Sequence, residues 1–343
     1  MRIAVCAPQV PFERGGTEIL VETLTEELRR RDHDVELVKI PFKWYPGPRP
    51  LREALVWRLL DLEEAQGRPI DLVVATKFPS YAVRHPNKVV WLVHQFRQAY
   101  DLDRTELAQF GEEPVDRATV RAIHELDRRM LGEAQRLFAI SENVSRRLHD
   151  SAGLTAEVLR PPPQALDFRR PEEGGDFILS VGRLDRAKRI DLLLEGAALD
   201  NSLEVIVAGE GPDRGRLEQV SARHGLDGRV RFVGKVADEE LIDLYARCLS
   251  VFYAPIDEDL GLVPYEAFLA EKPVVTTTDA GGPLEVVVDG HNGIVCEPSP
   301  AAVASACARL AENPELARNW GRAGKQAAEG LTWDAVVERL LSP

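Results

Sequence analysis

Short apolar runs alternate with longer amphipathic stretches along nearly all of this 343-residue chain, and the alternation occurs twice. In the first half the runs that read as strands are Ile3–Ala7, Val35–Ile40, Leu72–Ala75, Val89–Val93, Leu137–Ile140 and Glu157–Leu159. In the second half they are Phe177–Val181, Glu204–Ala208, Val230–Val233, Val251–Ala254, Val274–Thr277 and Gly293–Cys296. Runs that are apolar throughout are buried on both faces, as in parallel sheets covered by helices. Between them lie helical patterns. Thr17 to Arg31 sets Ile19, Leu20, Thr23, Leu24, Glu27 and Leu28 on one broad face, with acids early and arginines late. Strand–helix–strand repetition predicts parallel sheets joined by right-handed crossovers. The fold class expected is therefore α/β, with two Rossmann-like domains facing across a cleft.

The alternation breaks at Arg160-Pro-Pro-Pro-Gln164 and resumes after Pro171-Glu-Glu-Gly-Gly175. Consecutive prolines make a stiff extended segment, and the glycines end it. The expected division is a first domain over 1–163, a linker over 164–175 and a second domain over 176–330. A final helix, opened by Trp333, occupies 331–343.

At 44% hydrophobic and 29% charged, the composition is that of an ordinary globular protein. Residues 1–166 carry 24 Lys and Arg against 25 Asp and Glu, a net of −1. Residues 167–343 carry 19 against 31, a net of −12, and together these give the overall −13. Nucleic acid is a poor ligand for such a chain, because phosphate binding needs a basic stripe. An anion in a locally basic site remains compatible. Apolar runs such as Val89–Val93 are far too short to span a membrane. Met1-Arg-Ile-Ala-Val-Cys-Ala7 enters a strand pattern directly, so no leader is expected. Cys6, Cys248, Cys296 and Cys307 are scattered, which favours buried free thiols in a reducing, cytoplasmic setting.

Chemistry concentrates around Glu258 and Glu266. Glu258 falls in the loop after a buried strand, and Glu266 about one turn into the next helix, on the face looking back at that loop. Open α/β sheets bind ligands at this end of their strands. Gly261 lets an anion approach the backbone, and the helix start offers N–H groups and positive dipole. Carboxylates on both sides of an anion site suit a nucleotide sugar, with sugar hydroxyls at one end and ribose hydroxyls at the other. Against this, Glu258 is also one acid in the surface-like run Asp257-Glu-Asp259. Arg183 and Lys188, after the strand Phe177–Val181, can clamp a diphosphate from two sides. With Arg186 and Arg189 alongside, a solvated charged loop is the plain alternative. Gly15-Gly16-Thr17-Glu18 either admits a ligand to the backbone or caps a helix at Thr17. His94 ends a strand, and Gln95, Arg97 and Tyr100 share its loop.

Pro41-Phe-Lys-Trp-Tyr-Pro-Gly-Pro-Arg-Pro50 and the stretch Leu51 to Leu62 read as a loop and helix packed on the first domain. The sharper alternative is a lip that contacts a lipid-linked acceptor. Gly209-Glu-Gly-Pro-Asp-Arg-Gly215 has the wrong spacing for a dinucleotide fingerprint. The Asp-x-Asp pairs Asp32/Asp34, Asp101/Asp103 and Asp257/Asp259 sit in the wrong contexts for a metal, so no metal site is expected.

The Glu-x7-Glu stretch resembles the signature of retaining, family 4 type glycosyltransferases of the GT-B fold. Ser180-Val-Gly-Arg-Leu-Asp-Arg-Ala-Lys-Arg-Ile-Asp-Leu-Leu-Leu-Glu195, Ala208-Gly-Glu-Gly-Pro212 and Val233-Gly-Lys-Val236 stand in that family's order. The resemblance implies transfer of a sugar from a nucleoside diphosphate donor, UDP favoured, with retention and without metal or cofactor. It implies that Arg183 and Lys188 hold the diphosphate, Glu258 the sugar and Glu266 the ribose. His94 is placed near the donor sugar and phosphate. Gly15 and Gly16 belong to the N-terminal loop. Gly209, Gly211, Gly234, Lys235 and Val236 surround the nucleobase, and Asp259, Gly261, Leu262 and Val263 complete the donor site. The acceptor, whether glycan, small molecule or lipid-linked, stays open, as does weak peripheral contact at the inner face of a membrane. The final helix is implied to cross back to the first domain. Where many relatives have an Asn-Gly turn, this chain has Arg160-Pro-Pro-Pro-Gln164, a departure that stiffens the linker. A nucleotide-sugar epimerase or phosphorylase of like architecture, or a non-catalytic partner subunit, are the alternatives.

Overall fold

The computed structural model describes residues 1–163, 168 and 175–342. The expected linker, 164–175, therefore lies outside the described residues apart from Phe168 and Gly175. The chain divides into two compact units, Met1–Pro162 with Thr332–Pro343, and Pro163–Leu331.

The first unit runs β1 (Arg2–Gln9), α1 (Gly16–Arg30), β2 (Asp34–Pro41), α2 (Arg49–Leu59), β3 (Glu64–Ala65), β4 (Arg68–Pro69), β5 (Leu72–Ala75) and β6 (Lys88–Leu92). It continues with α3 (Pro114–Gly132), β7 (Arg136–Ala139), α4 (Glu142–Ala152) and β8 (Glu157–Val158). Six strands form one parallel sheet in the order β2-β1-β5-β6-β7-β8. The strands β1, β5 and β6 are buried almost along their length, which is why their sequence shows unbroken apolar runs rather than alternation. β3 and β4 form a short separate hairpin.

The second unit comprises β9 (Phe177–Val181), α5 (Ile190–Leu199), β10 (Glu204–Ala208), α6 (Arg214–Arg223), β11 (Val230–Gly234) and α7 (Asp238–Arg247). There follow β12 (Ser250–Phe252), α8 (Val263–Leu269), β13 (Val274–Thr277), β14 (Gly293–Cys296), α9 (Pro300–Ala311) and α10 (Pro314–Ala328). Its sheet is parallel in the order β11-β10-β9-β12-β13-β14. Ile178, Val205, Val207, Phe252 and Val275 from the strands pack with Leu193, Leu194, Val303, Cys307 and Leu310 from the helices. Thus β9 starts the sheet at its centre, the chain works outward one way through β11, then returns to the other side of β9 at β12.

The last helix, α11 (Trp333–Leu341), belongs to the first unit. Trp333 meets Trp91 edge-on with ring centroids 6.2 Å apart. Asp334 pairs with Arg31 at the end of α1, and Arg339 with Glu157 of β8. The stretch after β2 is partly core: Phe42 packs against Phe78 and Phe96, and Trp57 of α2 is buried. Tyr45, Leu55 and Leu59 stay exposed. Among the described residues no helix is long and apolar enough to cross a membrane.

One carboxylate is fully buried in the first unit. Asp127 of α3 accepts hydrogen bonds from Tyr81 (2.7 Å) and Tyr100 (2.8 Å), and His124, one turn earlier, stacks on Tyr100. Burial pushes the Asp127 carboxyl up to about 7, against the two hydroxyl donors that favour its charge. An unfolded aspartate titrates near about 4, so the folded chain keeps a proton that the unfolded chain releases between about pH 4 and 7. Stability from this group is therefore present at the acidic end and lost as pH rises through that window. Asp127→Asn does not titrate. The melting temperature of the unaltered protein should fall relative to that of Asp127→Asn as pH is raised across it. A constant difference from pH 4.5 to 7.5 would contradict this assignment.

Candidate functional site

The strand order of the second unit reverses between β9 and β12, and a crevice opens outside the carboxyl ends of strands at such a point. The loop after β9 carries Arg183 and Lys188, and the loop after β12 carries Glu258. Strand pairing thus brings together residues far apart in sequence. Lys188 Nζ forms an ion pair with Glu258 Oε2, is 3.2 Å from the Tyr253 hydroxyl, and lies over the Tyr253 ring at 5.3 Å. Burial disfavours the Lys188 ammonium, but Glu258, with Tyr253 and Asp185 adding to it, raises the lysine pKa overall. Asp185 sits beside this pair, its carboxyl pushed up by burial against the pull of Lys188. Arg183 is solvent-exposed.

Glu266 lies within α8. Its Oε2 accepts a 2.8 Å hydrogen bond from Tyr245 of α7, and burial raises its pKa against that donor. Tyr245 is itself wholly buried, so the carboxylate is held from behind. Pro264, at the start of α8, has no N–H, so the helix presents fewer donors than its position alone suggests. Leu262 precedes the helix and Val263 begins it.

Two glycines are fixed by close approach. Gly261 has φ of 79°, and a Cβ there would lie 2.7 Å from Tyr253 Cε1. A Cβ on Gly209 would lie 1.8 Å from the Gly182 carbonyl oxygen. The loops after β9 and β10 and the end of β11 in fact hydrogen-bond to one another. Gly209 N–H donates to Gly234 O at 2.7 Å, and Leu184 N–H to Glu210 O at 2.9 Å. Gly209 and Gly211 are thus needed for loop packing whatever else they touch. Lys235 is exposed, Val236 half-buried and Asp259 buried.

Gly15, Gly16 and His94 lie in the first unit: Gly15 ends the loop after β1, Gly16 begins α1, and His94 is on the loop after β6. α1 is capped by Gly15, not Thr17: the Glu18 carboxylate accepts the Gly15 N–H at 2.9 Å. Glu18 also pairs with Lys77, just beyond β5, at 2.9 Å. This pair bridges the point where the first sheet reverses, between β1 and β5. His94 is half-buried, with Nδ1 2.6 Å from Gln95 O. Arg97 pairs with Asp101, and Gln95 accepts from Ser151. Among the described residues no group of three or more His, Cys, Asp or Glu is placed to hold a metal ion.

Tyr253, Tyr245 and Arg189 carry no sequence motif of their own. In sequence Arg189 reads only as a charged neighbour, yet its side chain is 14% exposed and ties two loops together. Its partners, Ala254 to Asp279, lie 65 to 90 residues away, beyond any local pattern.

Residues 165–327 match the family described as Glycosyl transferases group 1. The D-inositol 3-phosphate glycosyltransferase of Geodermatophilus obscurus is 30% identical over 313 residues, covering 82% of this chain and 68% of that protein. The alpha-1,3/1,6-mannosyltransferase ALG2 of Mus musculus is 31% identical over 196 residues, 52% of this chain. That match spans 47% of the mannosyltransferase, about half its length. Among solved structures, sucrose-phosphate synthase from Thermosynechococcus elongatus aligns with a TM-score of 0.78 at 19% identity, covering 99% of this chain and 97% of the other. WaaG, described as a glycosyltransferase involved in lipopolysaccharide biosynthesis, gives 0.77 at 16%, covering 99% and 100%. Anabaena Alr3699/HepE, solved in complex with UDP and glucose, gives 0.71 at 17%, covering 99% and 98%. At such identities the structural likeness bears on the fold.

The loop packing has a direct test. Gly209→Ala places a methyl group against the Gly182 carbonyl at a backbone angle that side chains rarely adopt. It should cost ~2 kcal/mol or more, read as a lower urea midpoint. An unchanged midpoint would mean that the loops part freely.

Proposed function

Because the chain belongs to the group 1 glycosyl transferases, we propose that it moves a sugar from a nucleoside diphosphate sugar to a hydroxyl acceptor, with retention at the anomeric carbon and without a metal ion. The observation that carries this reading is the contact of Lys188 with Glu258 at the switch point of the second sheet. In a nucleotide sugar the sugar is bonded directly to the β-phosphate. A cation and a hydroxyl-accepting carboxylate at contact distance fit those two adjoining groups.

In this reading the second unit is the donor domain and the first the acceptor side. Lys188 and Arg183 stabilise the charge that develops on the departing diphosphate, the role a metal ion plays elsewhere. Glu258 accepts from sugar hydroxyls, and Glu266, braced by Tyr245, accepts from the ribose. His94 orients the donor sugar. The acceptor proton passes to the leaving phosphate on the same face, so retention needs no protein nucleophile. Gly209, Gly211 and Gly234 to Val236 frame the base, and Asp259, Gly261, Leu262 and Val263 line the diphosphate. UDP is the first nucleotide to try, since the Anabaena neighbour was solved with it. The mannosyltransferase relatives make a nucleoside diphosphate mannose an obvious second.

A UDP-, GDP- or ADP-sugar should raise the melting temperature without added metal. Ligand at 100 times its dissociation constant adds about 2.7 kcal/mol. The absence of any shift across that panel, with and without magnesium, would overturn the donor assignment.

The two glutamates should separate in kinetics. Glu266 serves the ribose, which changes little during reaction, so Glu266→Ala should weaken UDP binding in calorimetry. Glu258 serves the sugar as it becomes oxocarbenium-like, so Glu258→Ala should lower kcat more than it raises the donor KM. The reverse pattern would mean that the donor lies the other way round.

A further inference from the structure

Arg189 holds a left-handed backbone conformation, φ 50° and ψ 43°, which glycine adopts freely and other residues rarely do. Backbone outliers of this kind cluster at active sites and ligand clamps. The guanidinium here is fully engaged. Nε donates to Ala254 O at 2.9 Å, and Nη2 to Pro255 O at 3.0 Å and to Thr277 Oγ1 at 2.8 Å. Both Nη atoms grip the Asp279 carboxylate, at 2.7 and 2.6 Å. One side chain therefore joins the segment after β12 to the segment after β13.

Backbone hydrogen bonds carry the connection on to Glu258. Asp257 N–H donates to Asp279 O at 3.0 Å, and Glu258 N–H to Ala280 O at 2.8 Å. Gly282 N–H returns to Glu258 O at 2.8 Å, so the two loops pair as a short parallel bridge. The circuit closes through Lys188, which precedes Arg189 in the chain and pairs with Glu258. Every link lies inside the second unit.

We propose that Arg189 is a positioning residue for the transfer reaction, with Asp279 as its anchor. By clamping the loops after β12 and β13 it fixes the Glu258 carboxylate against Lys188. The proposal rests on the reading of Lys188 and Glu258 as donor-handling groups, but the clamp itself can be tested apart from it.

Arg189→Gly removes the guanidinium and also relieves the backbone, so the fold should survive the change. Two readouts are needed. Hydrogen exchange at the Asp257 and Glu258 amides should quicken by about tenfold or more, while Val205 and Val207 in β10 keep their protection. With a nucleotide sugar, kcat should fall by about tenfold or more with donor KM within about threefold, and millimolar guanidinium should restore part of the rate. Arg189→Lys, which keeps the charge without the planar fork, should fall between. Unchanged exchange at Asp257 and Glu258 would overturn the clamp. Quickened exchange with unchanged kcat would overturn the positioning role, as would a loss confined to KM. If the unaltered protein turns over no nucleotide sugar, the donor reading fails while the exchange result still decides the clamp. Should Arg189→Gly not fold, Asp279→Asn removes the anchor's charge at a half-exposed position and carries the same readouts.

Discussion

The parallel pairing of β9 with β12 is the contact on which the second unit's candidate site depends. Ile178 lies beside Ser250, and Leu179 beside Val251. Every strand of that sheet runs the same way, so every carboxyl end opens on one edge. The loops that leave β9 and β12 then have nowhere to go but towards each other. A lysine on one and a glutamate on the other become an ion pair because two buried apolar strands are neighbours. The driving force for the arrangement is burial of Ile178, Leu179, Val251 and Phe252, not attraction between the charges.

That order of causes also explains how an acidic half-chain presents a cation. The second half carries a net charge of −12, yet Lys188 is held charged, despite burial, by Glu258, with Tyr253 and Asp185 beside it. Burying one partner without the other would be costly, so each charge makes the other tolerable. On the donor reading proposed above, a diphosphate would find a cation already charged at this site. Tyr253 contributes through its hydroxyl and ring face, and Gly261 lets the loop close over that ring.

The alternation of apolar runs carried most of the architecture. Phe177–Val181, Glu204–Ala208, Val274–Thr277 and Gly293–Cys296 occur as read, because strands covered on both faces must be apolar throughout. The hairpin of β3 and β4 escaped notice, since two residues per strand leave no period to detect. Gly15 replaces Thr17 as the cap of α1 because Glu18 satisfies the cap N–H, which a reading that favours hydroxyl caps overlooks. The site was legible in part. Arg183, Lys188, Glu258 and Glu266 stood out by spacing, but what supports them did not. Tyr245 reaches Glu266 from another helix, and Arg189 acts across distant loops. Supporting residues of that sort answer to tertiary contacts, which leave no local signature.

α11 gives the molecule an order of assembly. Asp334 meets Arg31 across a sequence separation of 303 residues, and Trp333 seats on Trp91 in the same unit. The first unit therefore begins synthesis first and is completed last, after all of the second has been made. During translation its sheet edge near β8 and the Trp91 face wait uncovered while a whole domain emerges behind them. For a nascent chain, the span between ribosomal exit of Leu159 and of Trp333 is the interval in which a chaperone has most to shield.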